Sequence, residues 1–194
     1  MIYISKGIVQ EKSTERNIYV GRGGQVFQLT KIEAQLWLDG RFGFYTTKNA
    51  SQERAIEHLY RMGLVEFEQE DTFVARYRIL TRCVLCAAAN SNISLTVGRF
   101  ESSILNWLTN AGIRLSMAEL VYLHERQIKP TKELLYTDNR QKLVETIYTQ
   151  ENIFDNILEC QMEHAACRDK VTAAIMVLLK NKKIVILWGE ADEG

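Results

Sequence analysis

RAIEHLYRMGLVEF, residues 54–67, changes its period partway along. Up to Met62 its apolar residues recur at helical spacing, with Ile56, Leu59 and Tyr60 on the inward side. After Gly63 it reads as a short strand, LVEF. A glycine suits such a junction because it takes the left-handed conformation that ends a helix at little cost. The change recurs near the C-terminus in AAIMVLLKNKKIVIL, where Ile175 and Leu178 match Ile56 and Leu59, and where Asn181 stands ready for the left-handed position. The two stretches form a weak internal repeat, consistent with two related folds.

Upstream of residue 54, IYISKGIVQEK and NIYVGRGGQVFQL read as short strands, with GRGG (residues 21–24) as a hairpin turn. LTKIEAQLWLDG predicts a helix with a capping box of Thr30 and Glu33, an inward stripe of Leu29, Ile32, Leu36 and Trp37, and a stop at Asp39-Gly40. Downstream, LVEFEQ and FVARYRILTRCVL alternate apolar and charged residues about a turn at Glu70-Asp71, which predicts a half-exposed antiparallel hairpin. AAANSNIS, residues 87–94, reads as a linker.

Beyond it, FESSILNWLTNAG predicts a helix with Ile104, Leu105 and Leu108 inward. LSMAELVYLHERQ predicts another, capped by Ser116 and Glu119, and Pro130 marks a boundary. Residues 131–167 carry further helical periodicity, with Val144, Ile147, Ile153, Ile157 and Leu158 available to a homodimer or to the domain's own core.

Helix, helix and hairpin in that order resemble the winged-helix superfamily, over roughly residues 25–86 and more loosely 100–187. The expected class is α+β, predominantly helical, with two winged-helix-like domains at 1–86 and 98–194, a linker at 87–97, and additional helices in the second domain. The resemblance implies a duplex-DNA-binding transcriptional regulator, commonly dimeric, with the helix before the wing in the major groove. Carried onto this chain, the groove-facing residues are Lys48, Asn49, Ser51, Gln52 and Arg54, with Arg76 and Arg78 on the wing. The second unit offers Arg168, Lys170 and Thr172 at a helix start and Lys180, Lys182 and Lys183 at the following turn. Arginine can grip guanine, asparagine or glutamine can pair with adenine, and lysine neutralises phosphate. The stretch GGQVFQLTKIEAQLWLDG is also similar to winged-helix peptide-binding modules of the PqqD type, through Val26, Phe27, Leu29, Trp37, Leu38, Asp39 and Gly40. That likeness implies the alternative of a non-enzymatic scaffold holding a protein or peptide.

The balance of 24 basic and 24 acidic residues supplies no global field for a polyanion, so DNA binding has to rest on a local patch. No signal peptide or membrane span is legible, which gives the expectation of a cytoplasmic protein with no membrane partner and with reduced thiols. Cys83, Cys86, Cys160, His164 and Cys167 form the sharpest metal hypothesis, since a CxxC pair and a 4-and-3 spacing on one helical face could converge. Core filling is the stronger reading for these cysteines. His58, His124 and His164 lack a nucleophile and carboxylate at motif spacing. Neither an enzyme nor a cofactor is expected.

Overall fold

The computed structural model of the chain describes residues 1–88, 98–110, 115–135, 140–151 and 154–187. The chain divides into two compact units, one of Met1–Cys83 together with Ile186 and Leu187, and one of Val84–Val185. Most of the linker stretch and Ile153 lie outside the described residues. The class is α+β with helix predominating and small antiparallel pairings.

The first unit runs β1 (Ile2–Ser5), β2 (Ile8–Val9), β3 (Tyr19–Arg22), β4 (Gln25–Gln28), α1 (Lys31–Asp39), a 3-10 turn (Gly40–Phe42), β5 (Tyr45–Thr46), α2 (Ala50–Arg61), β6 (Val65–Glu68) and α3 (Phe73–Thr81). Its strands form two sheets, ordered β5-β1-β6 and β2-β3-β4. β1 is buried at all four positions and lies antiparallel to both neighbours, with Tyr3 opposite Tyr45 on one side and Phe67 on the other. Its flanks are tied to α1: the Tyr3 hydroxyl donates to the Leu36 carbonyl (3.0 Å), and Trp37 Nε1 donates to the Lys6 carbonyl (3.0 Å). Val20, Leu29, Leu36, Trp37, Ile56, Leu59, Leu64 and Val65 pack with Tyr3 in the core. As the spacing predicted, Thr30 and Glu33 form a reciprocal capping box at the start of α1.

The second unit contains β7 (Val84–Ala87), α4 (Arg99–Asn110), β8 (Leu115–Ser116), α5 (Met117–Glu125), α6 (Lys132–Leu135), α7 (Arg140–Ile147), α8 (Asp155–Glu163), α9 (Arg168–Lys180) and the first half of β9 (Ile184–Leu187), whose last two residues group with the first unit. Its sheet is ordered β8-β7-β9. Ile104, Leu105 and Leu108 of α4 are buried, and Ser116 and Glu119 form the capping box of α5. In α7 and α8, Ile147 and Leu158 are buried, whereas Val144 and Ile157 are exposed.

The repeat seen in the sequence has a structural form. In each unit the first strand lies at the centre of a three-stranded sheet, a two-residue strand borders it, and the strand after the last helix of the repeat borders its other side. The junction between that helix and strand is the same turn. After α2, Gly63 N–H bonds to the Tyr60 carbonyl (2.8 Å) and Leu64 N–H to that of Leu59 (2.9 Å). After α9, Lys182 N–H bonds to Leu179 (2.9 Å) and Lys183 N–H to Leu178 (2.9 Å). Both are the paired 5→2 and 6→1 bonds of a Schellman cap. Asn181, expected to be left-handed, has φ −84°, and Lys182 takes that conformation instead at φ 55°.

Three further expectations change. FVARYRIL is not the second strand of a hairpin but α3: Thr72 Oγ1 accepts from Ala75 N–H (3.0 Å), and Arg76 N–H bonds to the Thr72 carbonyl (2.9 Å), the i→i−4 bond of a helix. The alternation of apolar and charged residues fits a strand, and burial of Ala75, Tyr77 and Ile79 keeps that alternation; the threonine cap and the i→i−4 bond are what mark a helix. Tyr60 and Ile32, expected to face inward, are exposed; Tyr60 instead packs edge-on against Phe67, with ring centroids 5.0 Å apart.

A left-handed turn with a side chain costs about 1–2 kcal/mol relative to glycine. Lys182→Gly is therefore expected to raise the thermal unfolding midpoint. Gly63→Ala is expected to lower it by at least that energy, because an added Cβ also meets the Arg22 guanidinium at 2.3 Å. Calorimetry of the two variants checks both signs.

Candidate nucleic-acid interface

Five of the residues expected to face a groove lie at the start of α2, Lys48 and Asn49 just before it and Ser51, Gln52 and Arg54 within its first turns. Lys48, Asn49, Ser51 and Arg54 are exposed, and Gln52 is half-buried. Asn49 and Gln52 are occupied in starting the helix: Asn49 Oδ1 accepts from Gln52 N–H (3.0 Å), and Gln52 Oε1 accepts from Lys48 N–H (2.7 Å). Their amides satisfy orphan donors of the helix end. The side chains of Lys48 and Arg54 are exposed, and among the described residues neither takes part in the cap. Along residues 48–61 the exposed charged side chains are Lys48, Arg54, Glu57 and Arg61, with His58 held by Glu33 (Nδ1 to Oε1, 2.5 Å). This face is cationic, and it stands on a helix fixed from behind by Ala55, Ile56 and Leu59.

Arg76 and Arg78 do not form a wing. On α3 they lie two residues apart, about 200° around the helix, so they point to different sides instead of sharing a strand face. Arg76 forms a bidentate pair with Asp71 (2.7 and 2.9 Å), and its guanidinium lies 5.6 Å from the Phe44 ring centroid. Arg78 is exposed.

In the second unit, Arg168 pairs with Asp169 (2.7 Å) and also donates to the Glu163 carbonyl. Lys170 lies over the Phe100 ring at 4.2 Å. Thr172 is fully buried and donates to the Arg168 carbonyl (2.9 Å), which takes it out of any interface. Lys180 and Lys182 are exposed and Lys183 half-buried, at the C-terminus of α9, where cations complement the helix dipole.

The metal hypothesis loses its geometry. α8 ends at Glu163, with His164 as its C-cap, and Cys167 precedes α9, so Cys160, His164 and Cys167 do not share one helical face. Cys83 is buried with its thiol on the Ile79 carbonyl (3.2 Å), and burial pushes its pKa up to about 12. Burial likewise pushes Cys167 up to about 12, aided by its hydrogen bond to Glu125. Thiols so raised are neutral and poorly nucleophilic. Among the described residues no three His, Cys, Asp or Glu side chains are grouped to hold a metal.

Two ionisable clusters have no sequence signature. Lys6, almost wholly buried, pairs with Glu66 (2.7 Å), whose other oxygen meets Arg82 (2.9 Å), and Arg82 also reaches Glu68 (2.9 Å). In the second unit, the Tyr148 hydroxyl donates to Glu119 Oε1 (3.2 Å), while Glu119 Oε2 accepts from Ser116 N–H (2.6 Å). Burial raises Glu119 above the usual carboxylate range despite these hydrogen bonds. Such partners come from distant positions, and only the folded chain joins them.

Comparison with family models, with curated proteins and with solved structures returned no match to this chain. The reading of the site therefore rests on its own geometry.

Asn49→Ala is expected to cost about 1 kcal/mol of stability through loss of the cap, which denaturant unfolding measures. Glu119 carries the opposite linkage to a salt-bridged carboxylate: with its pKa raised by folding, its contribution is present below about pH 4.5 and is lost as pH rises through the folded value. Glu119→Gln, which keeps an acceptor for Ser116, is expected to gain stability relative to the parent as pH rises above about 4.5, the ordinary glutamate value, until the folded carboxyl has ionised. Urea unfolding across that range reads the difference.

Proposed function

We propose that the chain is a non-enzymatic, winged-helix-like protein that binds duplex DNA and acts in transcription regulation or a related DNA process. The observation that carries this reading is the exposed side of α2, where Arg54 and Arg61, with Lys48 just ahead of the helix cap, outnumber Glu57. The turn of Lys180, Lys182 and Lys183 adds a second cationic cluster. With Asn49 and Gln52 engaged in the cap and Arg76 held by Asp71, phosphate contact outweighs base reading. The repeated three-stranded sheet with helices between its strands supports the winged-helix likeness, with the central strand supplied by the segment before the first helix. No helix among the described residues is long and apolar enough to cross a membrane.

A second reading, a scaffold that holds a protein or peptide, is favoured by one observation: β4 is the outer strand of β2-β3-β4, and its residues are largely exposed. The test is fluorescence anisotropy with mixed-sequence duplexes over a salt series. DNA binding predicts affinity that falls steeply with salt. Arg54→Ala and Lys48→Ala are expected to weaken all duplexes alike and to lower the salt slope by about 1 each. No binding at low salt would leave the scaffold reading in its place.

A further inference from the structure

We infer that the outer edge of β4 is a self-association surface, occupied by β4 of a second copy of this chain. The hydrogen-bond phase of the β2-β3-β4 sheet shows what the edge offers. Leu29 N–H donates to the Ile18 carbonyl (3.0 Å) and Gln10 N–H to the Tyr19 carbonyl (2.9 Å). Bonded and non-bonded pairs alternate along an antiparallel ladder. In the β3–β4 register, Val20–Phe27 and Arg22–Gln25 are therefore bonded, and Tyr19–Gln28 and Gly21–Val26 are not. The N–H and C=O groups of Val26 and Gln28 consequently point away from β3, along the open edge.

These residues stand symmetrically about Phe27. Antiparallel pairing with a second copy, around a twofold axis at Phe27, sets Val26 opposite Gln28 of that copy and Gln28 opposite its Val26. Each such pair exchanges two backbone hydrogen bonds, so every outward group of both strands is satisfied. Phe27 then meets its symmetry mate at a non-bonded position, where side chains approach most closely. A twofold perpendicular to the sheet keeps each face continuous, which the even separation of 26 and 28 allows.

The composition of the edge removes the usual obstacles. Natural edge strands are guarded by charge, proline or a bulge. Gln25-Val26-Phe27-Gln28 has no charge and no proline, so no like charges meet when it faces itself. Val26 is 45% exposed, which leaves apolar surface for the pairing to cover. This surface lies on different residues from the cationic face of α2, and the inference stands apart from DNA binding.

Sedimentation velocity of the full chain over a wide concentration range tests it. The parent is expected to form a dimer reversibly. Val26→Pro removes an outward N–H that the β3 ladder does not use, and is expected to weaken the dimer at least about tenfold with unchanged circular dichroism. The pairs Val26→Lys with Gln28→Lys, and Val26→Glu with Gln28→Glu, are each expected to be monomeric alone and to form a heterodimer when mixed, because this register sets 26 against 28. A parent that stays monomeric would overturn the inference. So would a dimer insensitive to the charge pairs, or a monomer that takes a foreign extended peptide on this edge.

Discussion

The structure depends on a left-handed residue at the end of a helix. A helix that closes through 6→1 and 5→2 bonds turns sharply, so the next few residues can run back as a strand. α2 passes into β6 in this way and α9 into β9. The same bonds close α5, where Gln127 N–H reaches His124 (3.1 Å) and Ile128 N–H reaches Leu123 (2.9 Å). Glycine meets the requirement once, at Gly63, while Gln127 and Lys182 meet it with side chains attached, at φ 54° and 55°. Packing on both sides of those turns has to offset the strain.

What the turn delivers is a strand beside the first strand of each unit. In the first unit β1 is held by Trp37 and Tyr3 reaching across to α1 and by the buried Lys6–Glu66 pair just beyond its end. Removing one partner of such a pair is far more costly than never having built it, since a charge would be left in an apolar setting. Arg82 shares the Glu66 carboxylate and bonds to the Phe67 carbonyl (3.0 Å), which ties the end of α3 to β6. α2 packs on this framework through Ile56 and Leu59, and its other side is left to solvent with Arg54 and Arg61 on it.

Local features were legible in the sequence because their physics is local. Thr30 with Glu33 and Ser116 with Glu119 announce capping boxes at fixed spacing, and Gly63 announces the end of a helix. FVARYRIL reads as a strand because its apolar residues alternate, and the local signal for a helix is the threonine at Thr72, which caps it. The placement of β1 between β5 and β6 was not legible, since it joins residues more than 40 positions apart. The candidate site was legible as residue types and not as availability. Asparagine, glutamine and arginine suit a nucleic acid, but Asn49 and Gln52 cap their own helix, Arg76 grips Asp71, and Thr172 is buried.

The most direct measurement of the central claim is amide hydrogen exchange of the full chain with and without a saturating duplex at low salt. Exchange reports local opening segment by segment, so it locates the contact as well as detecting it. The account predicts slowed exchange at residues 48–55, reversed by added salt, with the β4 segment unchanged. Unchanged exchange throughout α2, in the presence of a duplex at low salt, would contradict it.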